Sequence, residues 1–190
     1  SVEYPNGGER LAVGYTYPIK WKSKGAVPNV KIEYGMFIGP HLEIEWRTPP
    51  IVESIPNTGS YSWKVPDDVG KGFRIRVTHA LNATVTDMSN TGFEITRETP
   101  QIKVISPNGD NDVWAVGTKR KIRWSPGDAT AIPQVQILLT RTGNLGDAKK
   151  IHTESTVPNT GEYMWTVTGP ASETCVVLVK APGGVPADTS

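Results

Sequence analysis

This 190-residue chain holds one cysteine, three phenylalanines, three methionines and three histidines. The lone Cys175 has no partner for an internal disulfide, so no bridge framework staples the fold. No apolar run approaches the ~20 residues of a membrane-spanning helix, and no charged-then-apolar leader opens the sequence. An excess of either charge is missing too. Twenty basic residues face nineteen acidic ones; up to residue 98 the count is eleven of each, and beyond it nine against eight. Neither half carries a field that draws nucleic acid or anionic lipid. Ser1 is not an initiator methionine, so the chain reads as a processed or excised piece.

Reactive constellations are equally scarce. His41, His79 and His152 fall on separate segments without metal-ligand spacing, and read as surface histidines. No nucleophile elbow, phosphate loop or dinucleotide fingerprint occurs. Cys175 aligns with Phe73 and is expected to be buried and inert. Asp67-Asp68 and Asp110-Asn111-Asp112 offer oxygen ligands, but without a third ligand at fixed spacing they read as solvated turns. The expectation is no enzyme, no cofactor and no metal.

What the sequence does have is a repeat. Pro56-Asn57-Thr58-Gly59-Ser60-Tyr61-Ser62-Trp63-Lys64-Val65 returns as Pro158-Asn159-Thr160-Gly161-Glu162-Tyr163-Met164-Trp165-Thr166-Val167. Pro5-Asn6-Gly7 returns as Pro107-Asn108-Gly109, Ile19-Lys20-Trp21 as Ile122-Arg123-Trp124, and Asp87 as Asp188. An offset of this length marks a whole domain duplicated. The boundaries read as 1–98 and 99–190, joined by the short, proline-bearing Thr96–Pro100 segment as a stiff linker.

Period-two alternation runs through both copies and helical periodicity is almost absent. In copy one, Ile19 and Trp21, then Val30, Ile32 and Tyr34, then Leu42, Ile44 and Trp46, alternate with charged residues. Tyr61, Trp63 and Val65, then Phe73, Ile75 and Val77, do the same. Each run is a strand with one face on a core. The expected strands lie at 2–4, 17–22, 30–35, 42–46, 51–55, 60–65, 72–79 and 91–96, punctuated by nineteen glycines and sixteen prolines. The fold class expected is all-β: two tandem immunoglobulin-like or fibronectin-III-like sandwiches, with A, B, E and D in one sheet and C, F and G in the other. Asn57-Thr58-Gly59 is read as a hairpin loop with Gly59 in the left-handed region.

The set Pro5-Asn6-Gly7-Gly8-Glu9, Gly14, Ile19-x-Trp21, Asn57-Thr58-Gly59-Ser60-Tyr61-x-Trp63 and Asp87-x-Ser89-Asn90-x-x-Phe93-x-Ile95 resembles a known β-sandwich domain. That domain stands at the N-terminus of fungal Ser/Thr-rich glycosylphosphatidylinositol-anchored cell-wall proteins and recurs in secreted bacterial and archaeal proteins. The resemblance implies an extracellular, wall- or surface-associated module, often in tandem, with no shared catalytic residues.

The copies differ on their outer faces. Lys31, Glu33, Arg74 and Arg76 in copy one become Gln136, Leu138, Val176 and Leu178 in copy two, so a charged face turns apolar. The register also lets Glu33 pair with an arginine across the sheet. Copy two ends where copy one enters its last strand, so the second domain is read as lacking that strand, with Leu138, Val176 and Leu178 as a candidate self-assembly face on an exposed edge. Trp46 has no counterpart: it either joins the core or offers a stacking platform for a sugar. Asn82-Ala83-Thr84 is a candidate glycosylation sequon in an expected F–G loop. The leading expectation is an extracellular structural or adhesive subunit of a surface filament, lattice or wall assembly. The alternative is a carbohydrate-binding accessory module acting on cell-wall polysaccharide.

Overall fold

The computed structural model describes residues 1–38, 43–109 and 112–190. The chain divides into two compact units, Ser1–Thr99 and Pro100–Ser190. Unit 1 runs through β1 (Val2–Tyr4), β2 (Arg10–Ala12), β3 (Thr16–Trp21), β4 (Asn29–Ile38) and β5 (Glu43–Trp46). It continues with β6 (Val52–Pro56), β7 (Ser60–Lys64), β8 (Gly70–His79), β9 (Asn82–Met88) and β10 (Phe93–Thr96). Unit 2 holds β11 (Lys103–Ser106), β12 (Lys119–Ser125), β13 (Gln134–Thr140) and β14 (Lys149–Lys150). β15 (Val157–Pro158), β16 (Glu162–Thr166), β17 (Val176–Lys180) and β18 (Ala187–Thr189) complete it. A single 3₁₀ turn, Leu145–Asp147, is the sole helical element among the described residues.

Each unit is a pair of sheets. The smaller sheet has the order β1-β3-β7 in unit 1 and β11-β12-β16 in unit 2. The larger has β2-β10-β8-β4-β5, with β6 on β4 and β9 on β8; in unit 2 it has β14-β13-β17-β18, with β15 on β13. The three-stranded A-B-E sheet facing a sheet centred on C and F makes this an all-β, immunoglobulin- or fibronectin-III-like sandwich. The alternating residues fill the space between sheets: Ile19, Ile32, Phe73, Ile75, Ile95, Ile122, Ile137 and Val179 are wholly buried.

Several expectations need correction. Strand D is not in the A-B-E sheet, because β6 pairs with β4 through Val30↔Ile55 and Ile32↔Val52. Strands β2 and β9 were not expected. β2 is a three-residue piece that pairs in parallel with β10, and β9 extends β8 through a two-residue turn where a loop was read. Of the segment 42–46, residues 43–46 form β5; His41 and Leu42 lie outside the described residues.

The Asn-Thr-Gly element is a corner between sheets, not a hairpin, since β6 and β7 lie in different sheets. Gly59 (φ +84°) and Gly161 (φ +87°) do adopt the left-handed conformation. A Cβ on Gly59 would also come within 3.2 Å of the Trp21 carbonyl oxygen. Gly59→Ala is therefore expected to destabilise unit 1 by about 1–2 kcal/mol in thermal melting. An unchanged melting temperature would contradict that corner geometry.

The asparagine does more than turn the chain. Trp124 donates its indole Nε1–H to Asn159 Oδ1 at 2.7 Å, while Asn159 Nδ2 donates to the carbonyls of Ile132 (2.8 Å) and Pro126 (3.0 Å). In unit 1, Trp21 Nε1–H donates to Asn57 Oδ1 at 2.7 Å, and Asn57 Nδ2 donates to the Val27 carbonyl at 2.8 Å. The backbone closes the clamp: Trp21 N–H donates to Gly59 and Trp124 N–H to Gly161. The Ile-x-Trp and Asn-Thr-Gly motifs thus repeat together because each tryptophan's one polar atom needs that asparagine once buried.

Candidate functional site

The outer face of the larger sheet is where the two units diverge chemically. In unit 1, β4 and β8 are in antiparallel register with Glu33 opposite Arg76 and Gly35 opposite Arg74. Glu33, only 9% exposed, accepts from Arg76 Nε (2.9 Å) and Nη2 (2.8 Å). Lys31 Nζ adds a third contact at 3.2 Å and reaches Glu53 at 3.3 Å. The expected Glu33–arginine pair is present, and it shields a buried carboxylate that would be costly alone.

Two aromatics lie under these arginines. The Arg76 guanidinium carbon sits 3.9 Å from the Trp46 ring centroid, and that of Arg74 sits 5.0 Å from Phe37. Arg74 donates Nη1 to the Ser89 carbonyl at 2.7 Å, while its buried Nε has no hydrogen-bond partner among the described residues. Burial holds the Arg74 pKa below its ordinary value. Gly35 makes room for this layer, as a Cβ there would lie 2.6 Å from the Glu45 carbonyl oxygen and 3.0 Å from Trp46 Cα. Trp46 therefore lies outside the core, half-buried, with one ring face taken by Arg76. The core reading of Trp46 fails because Trp46 pairs with Gly35, which alternates with the inward Tyr34. A sugar stacking on the ring face that Arg76 covers would have to displace a guanidinium held by Glu33. Phe37 was missed as a member of this layer. The run Met36-Phe37-Ile38, which prolongs β4 past residue 35, was the available signal.

In unit 2 the same positions carry Leu138 directly opposite Leu178, with Thr140 opposite Val176 and Gln136 opposite Lys180. Leu138, Val176 and Leu178 are each half-buried, so the apolar strip is smaller than the sequence implies. The strand-F edge is not free along its length, because β18 pairs with β17 through Leu178↔Thr189, Val179↔Asp188 and Lys180↔Ala187. On the other side Lys150 of β14 lies opposite Leu138. Lysines 150 and 180 thus border the strip.

The remaining candidates are structural or peripheral. Cys175 is exposed, not buried: the chain joins the sheet at Val176, and Thr174 makes only an isolated bridge to Thr142. His152 is buried, contrary to the surface reading. Its Nε2 accepts from Ile137 N–H at 3.1 Å and its Nδ1 contacts the Glu154 carbonyl at 2.9 Å, so a side chain serves a strand amide there. His79 Nδ1 accepts from Leu81 N–H in the β8–β9 turn. Asp67 pairs with Arg97 and Asp68 with Arg47, each at 2.7 Å, which spends their charge on arginines. Asp112 accepts from Asn108 N–H at 2.7 Å, much as Glu9 accepts from Asn6 and Gly7; Asp110 and Asn111 lie outside the described residues. Asn82 is exposed at the first position of β9, and its Oδ1 accepts from Thr84. Among the described residues no helix is long and apolar enough to cross a membrane.

No family model and no curated protein matches the chain. Among solved structures, the fibronectin(III)-like modules of Clostridium thermocellum CbhA align over 100% of this chain and 91% of theirs, at 16% identity and a TM-score of 0.35. The FN1–FN3 domains of chicken CNTN1 align over 100% of this chain and 62% of theirs, at 14% identity and a TM-score of 0.37. Superpositions at that level leave the fold assignment to rest on the strand order described above.

Proposed function

We propose that the chain is a non-catalytic, extracellular structural or adhesive module that self-associates through the outer sheet face of unit 2. The supporting observation is the exchange of the Lys31–Glu33–Arg76 ion network for the Leu138–Leu178 cross-strand pair on an otherwise repeated scaffold. The fold needs neither set, since both point away from the core, so the difference between them is available to function. The family resemblance carried by Pro5-Asn6-Gly7-Gly8-Glu9 and the Asn-Thr-Gly elements accords with a wall- or surface-associated role, with self or neighbouring domains as partners.

Magnitude sets the kind of association. Completing the burial of three half-buried aliphatic side chains contributes about 2–4 kcal/mol, less than the 4 kcal/mol or more that rigid association costs, so the strip must be the centre of a wider contact that includes the surface around it. One such contact is weak, and repetition along an array multiplies it. Leu178→Lys places a cation at the strip's centre and is expected to abolish concentration-dependent growth of sedimenting mass without lowering the melting temperature of unit 2. Unaltered growth in Leu178→Lys would overturn the assignment of this face.

A further inference from the structure

The near balance of nine basic and eight acidic residues beyond position 98 conceals an uneven distribution. Five of the nine, Lys103, Lys119, Arg120, Lys121 and Arg123, lie on β11 and β12 of unit 2's smaller sheet, and all five are exposed. The one acid on the three strands of that sheet is Glu162, which holds Lys121 at 3.0 Å. Asp188 reaches the edge of β11 but is taken up by the Val104 amide at 2.8 Å. Among the described residues the other four cations have no carboxylate partner. With Ile122 and Trp124 buried, Lys119, Lys121 and Arg123 project from the opposite face, about 7 Å apart along the strand.

Lysines on a solvent face are ordinary; the apolar surface beside these is not. Ile105 is 53% and Met164 52% exposed. Met164 lies directly opposite Lys121, and Ile105 falls between the pairs Val104↔Trp124 and Ser106↔Arg123. An apolar side chain therefore flanks the central row of cations on each side. Unit 1 supplies the comparison. The pairs Pro18↔Ser62 and Lys121↔Met164 align Ser62 with Met164, and Val2↔Trp21 and Val104↔Trp124 align Glu3 with Ile105. Unit 1 carries Lys20, Lys22 and Lys64 on the matching face, but with Glu3 and Ser62 in place of the two apolar residues.

We infer that this face of unit 2 docks on the surface of a lipid bilayer that contains anionic phospholipid. The cations meet the headgroup phosphates, while Ile105 and Met164 leave water for the boundary between headgroups and acyl chains. A three-stranded sheet face about 10 Å across suits a planar surface. Nucleic acid bases would find no ring to stack on, since Trp124 and Trp165 are buried and Tyr163 packs against the buried His152. A soluble acidic polymer would use the cations and leave the apolar pair in water. The face belongs to the other sheet from the Leu138–Leu178 strip, so neither reading needs the other.

The test is co-sedimentation of the full chain with phosphatidylcholine vesicles containing about 30% phosphatidylglycerol, against pure phosphatidylcholine. Partitioning onto the anionic vesicles at ~0.1 M salt is expected to exceed the control about tenfold or more, and to fall about tenfold at ~0.5 M salt. Lys119→Gln together with Arg123→Gln is expected to weaken it about twentyfold, each cation near a charged bilayer being worth a factor of about five. Met164→Ser, which installs the unit 1 residue, is expected to weaken it about threefold. These side chains are exposed, so the melting temperature should not move in any of the variants. Equal partitioning onto the two kinds of vesicle would overturn the inference. Unchanged vesicle binding in a chain carrying both Ile105→Ser and Met164→Ser would overturn it as well, by reducing the face to a site for any soluble polyanion.

Discussion

Replacing Asn159 by alanine is expected to cost unit 2 about 3–5 kcal/mol, because it strands two buried groups and a half-buried one at once. The Trp124 indole N–H loses its acceptor at 2.7 Å, and the carbonyls of Ile132 and Pro126 lose their donor. Trp124 is 2% exposed and Asn159 5%, so water reaches neither without opening the corner. A unit of this size unfolds at about 5–15 kcal/mol, so the loss is a large share of its stability. The unit 2 melting transition should fall by about 12 °C or more. Asn57→Ala is the internal comparison. Asn57 is half-buried and exchanges hydrogen bonds with exposed Ser23, so water can replace part of what is removed. It should cost about half as much. Equal, small effects at both positions would show that the asparagines only turn the chain.

The second large effect belongs to Trp63. It is 5% exposed and packs against Tyr34 at 5.3 Å and Phe93 at 6.3 Å between ring centroids, with Phe73 behind both. Truncation to alanine opens a cavity in the middle of an aromatic cluster and is expected to cost about 3–5 kcal/mol. Trp165→Ala makes the paired measurement in unit 2. Among the described residues its one aromatic ring contact is with the half-buried Trp114, at 6.3 Å and tilted by 47°. One fewer aromatic contact reduces its cost by about 1 kcal/mol relative to Trp63. Chemical denaturation with tryptophan fluorescence reads both. A larger loss for Trp165→Ala would reverse the ranking.

The parts of the fold legible in sequence were those fixed by periodicity. Alternation along Val30-Lys31-Ile32-Glu33 and Phe73-Arg74-Ile75-Arg76 places inward and outward residues correctly, because a strand's side chains have a period of two whichever sheet it joins. Sheet membership is a different matter. Strand β6 has no fully buried residue, and nothing in Val52–Pro56 says whether its partner is β4 or β7. The role of Asn57 and Asn159 was hidden for the same reason: an Asn-Thr-Gly string is equally good turn chemistry in a hairpin and at a sheet-to-sheet corner. Only the recurrence of Ile-x-Trp beside it hinted at a pairing.

The candidate faces followed the same rule. Comparing Lys31, Glu33, Arg74 and Arg76 with Gln136, Leu138, Val176 and Leu178 located the outer faces, since outward positions follow from register alone. How much of Leu178 remains open did not, because β18 arrives from residues with no strand signal of their own around Ala187–Thr189. Cys175 shows the limit of alignment. It occupies the register position of Phe73, yet the wall that buries Phe73 includes Phe93, and a residue's burial depends on what covers it.

A duplicated scaffold that associates through apolar contacts of its second unit is the central claim, and sedimentation of the unaltered chain tests it most directly. Mass should rise with concentration from roughly 0.1 mM upward, the range of an interface worth about 5.5 kcal/mol net. It should not fall when ~1 M salt screens surface charge. A mass fixed at that of one chain through about 1 mM, or one that collapses to it in salt, would contradict the account.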